Sequence, residues 1–255
     1  MFTVFLPADA GRKTTLITFG PKKWGHVMIP RKVRYVAVSD FARRELERIW
    51  GMSSKSHDLR VIPNTCGPAI PEARTPPAKP SVLTVGHVIG YKNPLTWIQI
   101  AERVCQEIPD VTFTWLGEGP DLGLCREIVA ESVFGDRIRF VGHIEDVSTH
   151  YNEAHAYVHL STVENSPFAV LEAMRRGVRC VLSESGGMRE LAHNGDGAIL
   201  VKPEEPEATA KTIVRLLTSE ESVTSLGRIS LDAYRNFHDS EAWTSHIQEL
   251  HVSQH

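Results

Sequence analysis

The chain reads as an α/β fold, a Rossmann-like doubly wound parallel sheet, and three observations point there. From residue 81 onward short β-branched apolar runs alternate with helical stretches, the order that builds a parallel sheet covered on both faces. Several of the runs end in glycine-bearing or polar loops just before the next helix begins. Four prolines fall between residues 69 and 80, marking a stiff, extended linker before the alternation starts.

Before that linker the pattern is less regular. Apolar β-formers at 3–6 and 15–19 suggest a hairpin. Residues 34–38 read as a strand, Ser39 as the N-cap of a helix over 40–50, and 59–62 as a short strand ending at Pro63-Asn64. Beyond the linker, strands are expected at 82–85, 111–116, 138–141, 156–160, 179–183 and 198–201. Helices are expected at 94–107, 121–133, 145–153, 167–176, 188–193, 206–218, 221–237 and 240–250. The chain therefore divides into an incomplete α/β portion over 1–68, the linker over 69–80, and a nearly complete Rossmann-like domain over 81–255.

Bulk properties narrow the function. A formal net charge of −3 in 255 residues gives no reason to expect nucleic acid as a partner. Cys66, Cys105, Cys125 and Cys180 form no CxxC pair and read as buried thiols of a cytosolic protein. No amino-terminal signal peptide is read, and no apolar run approaches the ~20 residues of a membrane helix. The twelve histidines are not read as metal ligands, and no metal or other cofactor is expected. The basic residues from Arg12 to Arg34, with Trp24 among them, suit a partner-domain surface better than a membrane, because they lack an amphipathic period. A peripheral place at a membrane is the alternative.

The most informative stretch follows the run at 156–160. Thr162-Val163-Glu164-Asn165-Ser166 forms a polar loop, and the next helix closes at Gly177. Ser166 is placed to cap that helix and Pro167 to begin it. Glu164 then lies at the carboxyl end of a strand and Glu172 inside the helix. Open α/β sheets bind ligands in that crevice, and helix amino termini there attract phosphate. Two carboxylates beside an anion site suit a ligand with phosphates and hydroxyls, of which a nucleotide sugar is one. Glu172 sits among Phe168, Val170, Leu171 and Met174, where an acid needs a ligand or a structural partner such as arginine. Gly186-Gly187 reads either as a phosphate-facing loop or as a tight strand-to-helix connection. His143 and His159 are read as structural.

From about residue 34 to 250 the chain resembles the carboxyl-terminal half of the family 4 retaining glycosyltransferases of the GT-B type. The resemblance rests on Tyr35-Val36-Ala37-Val38-Ser39, Val61-Ile62-Pro63-Asn64, Val85-Gly86-His87 with Lys92, Leu116-Gly117-Glu118-Gly119-Pro120, Val141-Gly142-His143, and Glu164 with Glu172 ahead of Ala173-Met174-Arg175-Arg176-Gly177. It implies transfer from a nucleotide sugar with retention of configuration and without a metal. Lys92, near Gly86 and His87, would meet the donor diphosphate. Glu164 would bind the transferred sugar, and the backbone around Asn165, Ser166, Pro167 and Phe168 would hold phosphate. Glu172 would take the ribose hydroxyls, while Gly142 and His143 would frame the base beside Gly117. Catalysis would rest on Glu164 and Lys92.

Two departures stand out. The family usually carries arginine where His87 stands, which implies a weaker hold on the diphosphate or a different donor. Most of the amino-terminal domain, which carries the family's acceptor site, is missing, and His26 lacks the setting to replace its histidine. The chain is then expected to be part of a longer enzyme, one subunit of a split transferase whose partner chain supplies the acceptor domain, or a homologue that only binds nucleotide. The acceptor (glycan, lipid-linked or small molecule) is not named by the sequence. A non-catalytic regulatory or scaffolding subunit is the rival reading. A dinucleotide-binding oxidoreductase is the weaker third, since Gly117-Glu118-Gly119-Pro120-Asp121 lacks the third glycine of its fingerprint.

Overall fold

The structure, a computed structural model, describes residues 2–4, 17–19, 34–52, 57–70, 74, 76–218, 220–238, 243–244 and 248. Strands β1 (Phe2–Val4) and β2 (Ile17–Phe19) pair antiparallel with Phe2 opposite Phe19; residues 5–6 and 15–16 of the expected hairpin lie outside the described residues. His26, Trp24 and nearly all of the basic stretch lie outside the described residues. β3 (Arg34–Ala37) and β4 (Asp58–Val61) pair in parallel. Helix α1 (Asp40–Trp50) connects them, and Tyr35, Ala37, Ala42, Leu46, Met52 and Leu59 form a small core of their own. Ser39 caps α1 as expected, its Oγ accepting from the Ala42 amide at 3.0 Å.

The main sheet is six parallel strands: β5 (Ser81–Val85), β6 (Thr112–Leu116), β7 (Ile138–Gly142), β8 (Ala156–His159), β9 (Arg179–Ser183) and β10 (Ile199–Val201), in the order β10-β9-β8-β5-β6-β7. Helices α2 (Pro94–Glu107) and α3 (Leu122–Glu131) connect β5, β6 and β7. α4 (Ser148–Glu153) leads into β8, α5 (Phe168–Met174) into β9, and α6 (Met188–Leu191) toward β10. α7 (Pro206–Thr218) and α8 (Glu220–Phe237) follow. One face of the sheet buries residues of α2, α3 and α7, and the other residues of α4, α5, α6 and α8. Burial on both faces explains why the strands read as continuous apolar runs.

The strand order reverses between β5 and β8, and that reversal is pinned by buried polar contacts. Trp97 Nε1 donates to Thr84 Oγ1 at 2.8 Å, and Thr84 Oγ1 donates to the Val158 carbonyl at 2.7 Å. The Trp97 ring stands edge-on to Phe113, Trp115 and Phe140. Strands β5 and β8 and helix α2 are thereby locked at the one place where an open α/β sheet leaves a crevice.

Two local expectations change. Ser166 does not cap α5: the helix begins at Phe168 with Pro167 extended at its N-cap (φ −71°, ψ 127°). Proline disfavours helical geometry in the residue before it, which leaves Ser166 short of the first-turn amides. The proline-rich segment is also no free spacer where described. Ile70 N donates to the Arg175 carbonyl at 2.7 Å, and Arg74 donates to the carbonyls of Gly177 (2.8 Å) and Ala154 (2.5 Å). An arginine fork matched to carbonyls at helix ends holds the segment against the sheet domain. The helix expected at 240–250 lies largely outside the described residues.

Candidate functional site

The loops leaving β5 and β8 meet at the reversal point. After β5 a single 3₁₀ turn (Gly90–Lys92) presents Lys92, and Asn93 (φ 57°) opens α2. Asn93 Nδ2 donates to the Leu160 carbonyl at 2.7 Å and Thr162 N to the Tyr91 carbonyl at 2.7 Å, tying the two loops together. Across that seam Lys92 Nζ donates to Glu164 Oε1. Both side chains are largely buried, 11% and 17% exposed.

His159, the last residue of β8, completes the cluster. Its Nε2 lies 3.3 Å from Glu164 Oε1, 3.4 Å from Lys92 Nζ and 2.9 Å from Ser161 Oγ, while Nδ1 lies 3.1 Å from the Tyr157 hydroxyl. Burial alone would raise the Glu164 carboxyl. The His159 hydrogen bond and the Lys92 ammonium overturn that and hold it down at about 2. Burial, helped by Lys92, lowers His159 against the pull of Glu164, so its ring is neutral near pH 7. The result is one fixed carboxylate and one cation facing the crevice. Ser161 had no sequence signal beyond being a polar residue at the carboxyl end of an apolar run, and His159 is buried and held between Tyr157, Ser161 and Glu164.

The glycine positions form the crevice's floor. Gly117 (φ 140°) packs against Gly86 so closely that a Cβ on Gly117 would lie 2.1 Å from the Gly86 carbonyl oxygen. Gly117 N donates to the Gly142 carbonyl at 2.7 Å and Gly86 N to the Leu116 carbonyl at 2.9 Å. The carboxyl ends of β5, β6 and β7 are therefore stitched together by backbone bonds, with Trp115 Nε1 donating to the Gly86 carbonyl at 2.8 Å. A Cβ on Gly86 would sit 3.7 Å from Lys92 Nζ. His87, His143 and Phe168 are exposed around this floor. Gly186 and Gly187 are a tight connection: their Cβ atoms would fall 2.3 and 2.0 Å from the carbonyl oxygens of Glu164 and Asn165, and Gly187 N donates to the Glu164 carbonyl at 2.7 Å.

Glu172 is placed apart from the Lys92–Glu164 pair. Arg176 donates to its carboxylate, and Arg175 Nε lies 3.2 Å from the same oxygen. Arg175 also donates to the Cys66 carbonyl, and the buried Arg176 guanidinium sits over the Tyr151 ring. Glu172 keeps 29% of its side chain exposed, so it is held by arginine yet reachable. Burial, with Glu172 nearby, pushes the Cys66 thiol up to about 12, leaving it protonated. Cys66 is half-buried and the other three thiols are buried. Among the described residues no group of three or more His, Cys, Asp or Glu could hold a metal ion, and no helix is long and apolar enough to cross a membrane.

The chain is similar to known proteins in sequence and in fold. The chain is 25% identical over 150 residues to the 2-deoxystreptamine N-acetyl-D-glucosaminyltransferase of Niallia circulans, a match covering 58% of this chain and 39% of that relative. It superposes on Anabaena Alr3699/HepE, solved in complex with UDP and glucose, with a TM-score of 0.74 at 18% identity, over 86% of this chain and 62% of that one. A chain of the GtfA/B complex superposes with a TM-score of 0.72 at 19% identity, over 85% of this chain and 44% of that one. These likenesses establish a GT-B glycosyltransferase fold, of which this chain spans less than half the length of the curated relative. The model describing glycosyl transferases group 1 matches residues 79–219, more than half of the chain and all six strands of the main sheet, and the chain belongs to that family.

Proposed function

We propose that this chain supplies the donor half of a glycosyl transfer from a nucleotide sugar with retention of configuration. The observation that carries the reading is the meeting of Lys92 and Glu164 at the strand-order reversal, where α/β sheets take their ligands. In the absence of donor, Lys92 neutralises Glu164. A donor would exchange that contact: its diphosphate takes the ammonium, and sugar hydroxyls donate to the freed carboxylate. As the sugar–phosphate bond breaks, Lys92 offsets charge growing on the leaving diphosphate. The Glu164 carboxylate, ionised throughout the physiological range, faces the positive charge developing on the sugar. Glu172 is assigned to the ribose hydroxyls and the backbone near Gly142 and His143 to the base.

Calorimetric titration of the chain with UDP, GDP and ADP and their sugars tests this, alongside Lys92→Ala. Micromolar binding of one nucleotide, weakened at least tenfold by the variant, supports it. Binding untouched by Lys92→Ala overturns the site. Addition of EDTA should leave the affinity unchanged if Lys92 does the work assigned to it.

A second reading has its own support. The chain spans 39% of the Niallia circulans enzyme, and among the described residues β3 and β4 form a two-stranded sheet with its own small core. On this basis the acceptor half belongs to other polypeptide, either further along the same protein or on a partner chain. A non-catalytic regulatory or scaffolding subunit would bind donor equally and never turn it over. Mass spectrometry of donor incubated with chain and candidate partner separates the two.

A further inference from the structure

Glu164 is held by one oxygen only. Lys92 Nζ, His159 Nε2 (3.3 Å) and Ser161 Oγ (3.4 Å) all converge on Oε1, and among the described residues no hydrogen bond reaches Oε2. The proposed passage of Lys92 from Glu164 to a donor diphosphate takes the cation out of that set. What then keeps the carboxylate aimed is decided by the two neutral neighbours.

Of these, His159 is the more firmly built in. Its side chain is 1% exposed, and its ring is stacked on that of Tyr157, 6.0 Å between centroids and 24° between planes. A carboxylate oxygen only accepts, so a bare Nε2 would set one lone pair against another; Nε2 therefore carries the hydrogen. The same N–H reaches Ser161 Oγ at 2.9 Å, and the serine's own proton is directed to Oε1. Nδ1 is left with the lone pair, and the group facing it is the Tyr157 hydroxyl at 3.1 Å, which also reaches the Val85 carbonyl at 3.2 Å. Tyr157 is fully buried, and the neighbouring Tyr151 gives its proton to the Ala169 carbonyl at 2.8 Å. Tyr157, His159 and Glu164 thus form one hydrogen-bonded line from the interior of the sheet to the crevice.

Resting on the donor reading above, we propose that His159 is a positioning residue: it donates from Nε2 to Glu164 Oε1, in the tautomer that the Tyr157 hydroxyl fixes, and keeps Oε2 turned to the transferred sugar once Lys92 has passed to the diphosphate. A neutral ring suits that task, because it holds the carboxylate without cancelling its charge. Burial keeps His159 in that neutral form.

Two ligand-free readings test the contact. In the histidine-¹⁵N-labelled chain His159 should show a protonated Nε2 and a bare Nδ1; the reverse tautomer, with Ser161 donating to a bare Nε2, overturns the inference. In Lys92→Met the Glu164 carboxyl, followed by ¹³C, should still titrate below its ordinary value of 4.5, and it should rise in Lys92→Met/His159→Leu. Equal titration in the two folded chains overturns the inference. A third reading tests the role, through the ratio of sugar-nucleotide to free-nucleotide affinity, measured by calorimetry with UDP-glucose and UDP or whichever pair binds. That ratio should fall roughly fivefold in His159→Asn, whose amide stops short at the Nδ1 position, and recover in His159→Gln, whose amide nitrogen reaches the place of Nε2. Tyr157→Phe, which keeps the ring and loses the hydroxyl, should lower the ratio as well and serves where a histidine variant melts as unfolded. A histidine that only fills the core would leave the ratio alike in all of these, and that result overturns the positioning role. Absence of nucleotide binding with both ligand-free readings intact would sink the donor reading alone.

Discussion

Lys92 and Glu164 close on each other across the point where the main sheet reverses its strand order, one from the loop after β5 and one from the loop after β8. Each is largely buried, so each needs the other more than a surface pair would. Removing one partner of a buried pair leaves an uncompensated charge and costs roughly 3 kcal/mol or more, discounted here to about 2 for the residual exposure of both groups. Glu164→Gln and Lys92→Met should each destabilise the chain by about that amount. The double variant should be more stable than the sum of the two predicts, by about 1 kcal/mol. Denaturant unfolding of the four chains measures it, and strict additivity would show that the contact contributes nothing in solution.

The crevice floor depends on residues without side chains. Gly117→Ala would push a methyl to 2.1 Å from the Gly86 carbonyl oxygen, at a φ of 140° that L residues rarely adopt. Backbone must then move, and a loss of about 3 kcal/mol is expected from strain and overpacking. Gly123, inside α3 with nothing near its missing Cβ, is the control. Gly123→Ala should stabilise by ~0.5–1 kcal/mol through helix propensity. Thermal melts that rank the two variants the other way would refute the assigned packing.

Acid should unfold the chain in two windows. Burial lowers His238 to about 4, and burial also lowers His159, His155 and His193. An unfolded histidine takes up its proton near 6.5, so below that pH the unfolded chain binds protons that the native chain refuses. Stability is then lost as pH falls from 6.5 toward 4. Glu164, held at about 2 against an ordinary value near 4.5, adds a second loss as pH falls between those values. The melting temperature should be level above pH 7 and decline below 6.5, with a shallower decline in His238→Phe. A melting temperature that rises on mild acidification contradicts the buried, neutral assignment.

How much of this was legible beforehand depends on the range of the interaction. Helix 94–107 and strand 179–183 were readable to the residue, because their apolar spacing and bounding proline, or continuous burial, are local signals. Lys92 and Glu164 were both named from the sequence, yet their contact follows from strand order, which no local pattern encodes. His159 was read as structural, and its place beside that pair has the same origin: within its own strand it is one polar residue in a buried run. Ser166 went the other way. A local capping signal was overridden by the proline after it, and the Ser166 hydroxyl is left buried without a hydrogen-bond partner among the described residues.

Glu172 offers the sharpest separation of a structural from a ligand-binding role. Arg175 and Arg176 hold its carboxylate, which alone would account for an acid on an apolar helix. The proposed role adds ribose hydroxyls to the same partly exposed oxygens. If both hold, Glu172→Ala weakens nucleoside diphosphate binding about tenfold, the scale of a hydrogen bond to a charged group. More tellingly, the wild-type chain should prefer the ribonucleotide over its 2′-deoxy counterpart, and the variant should lose that preference. A purely structural Glu172 would lower the melting temperature and leave the ribose-to-deoxyribose ratio where it was. Paired titrations with UDP and dUDP, or whichever base binds, read that ratio directly and are insensitive to a modest loss of folded protein.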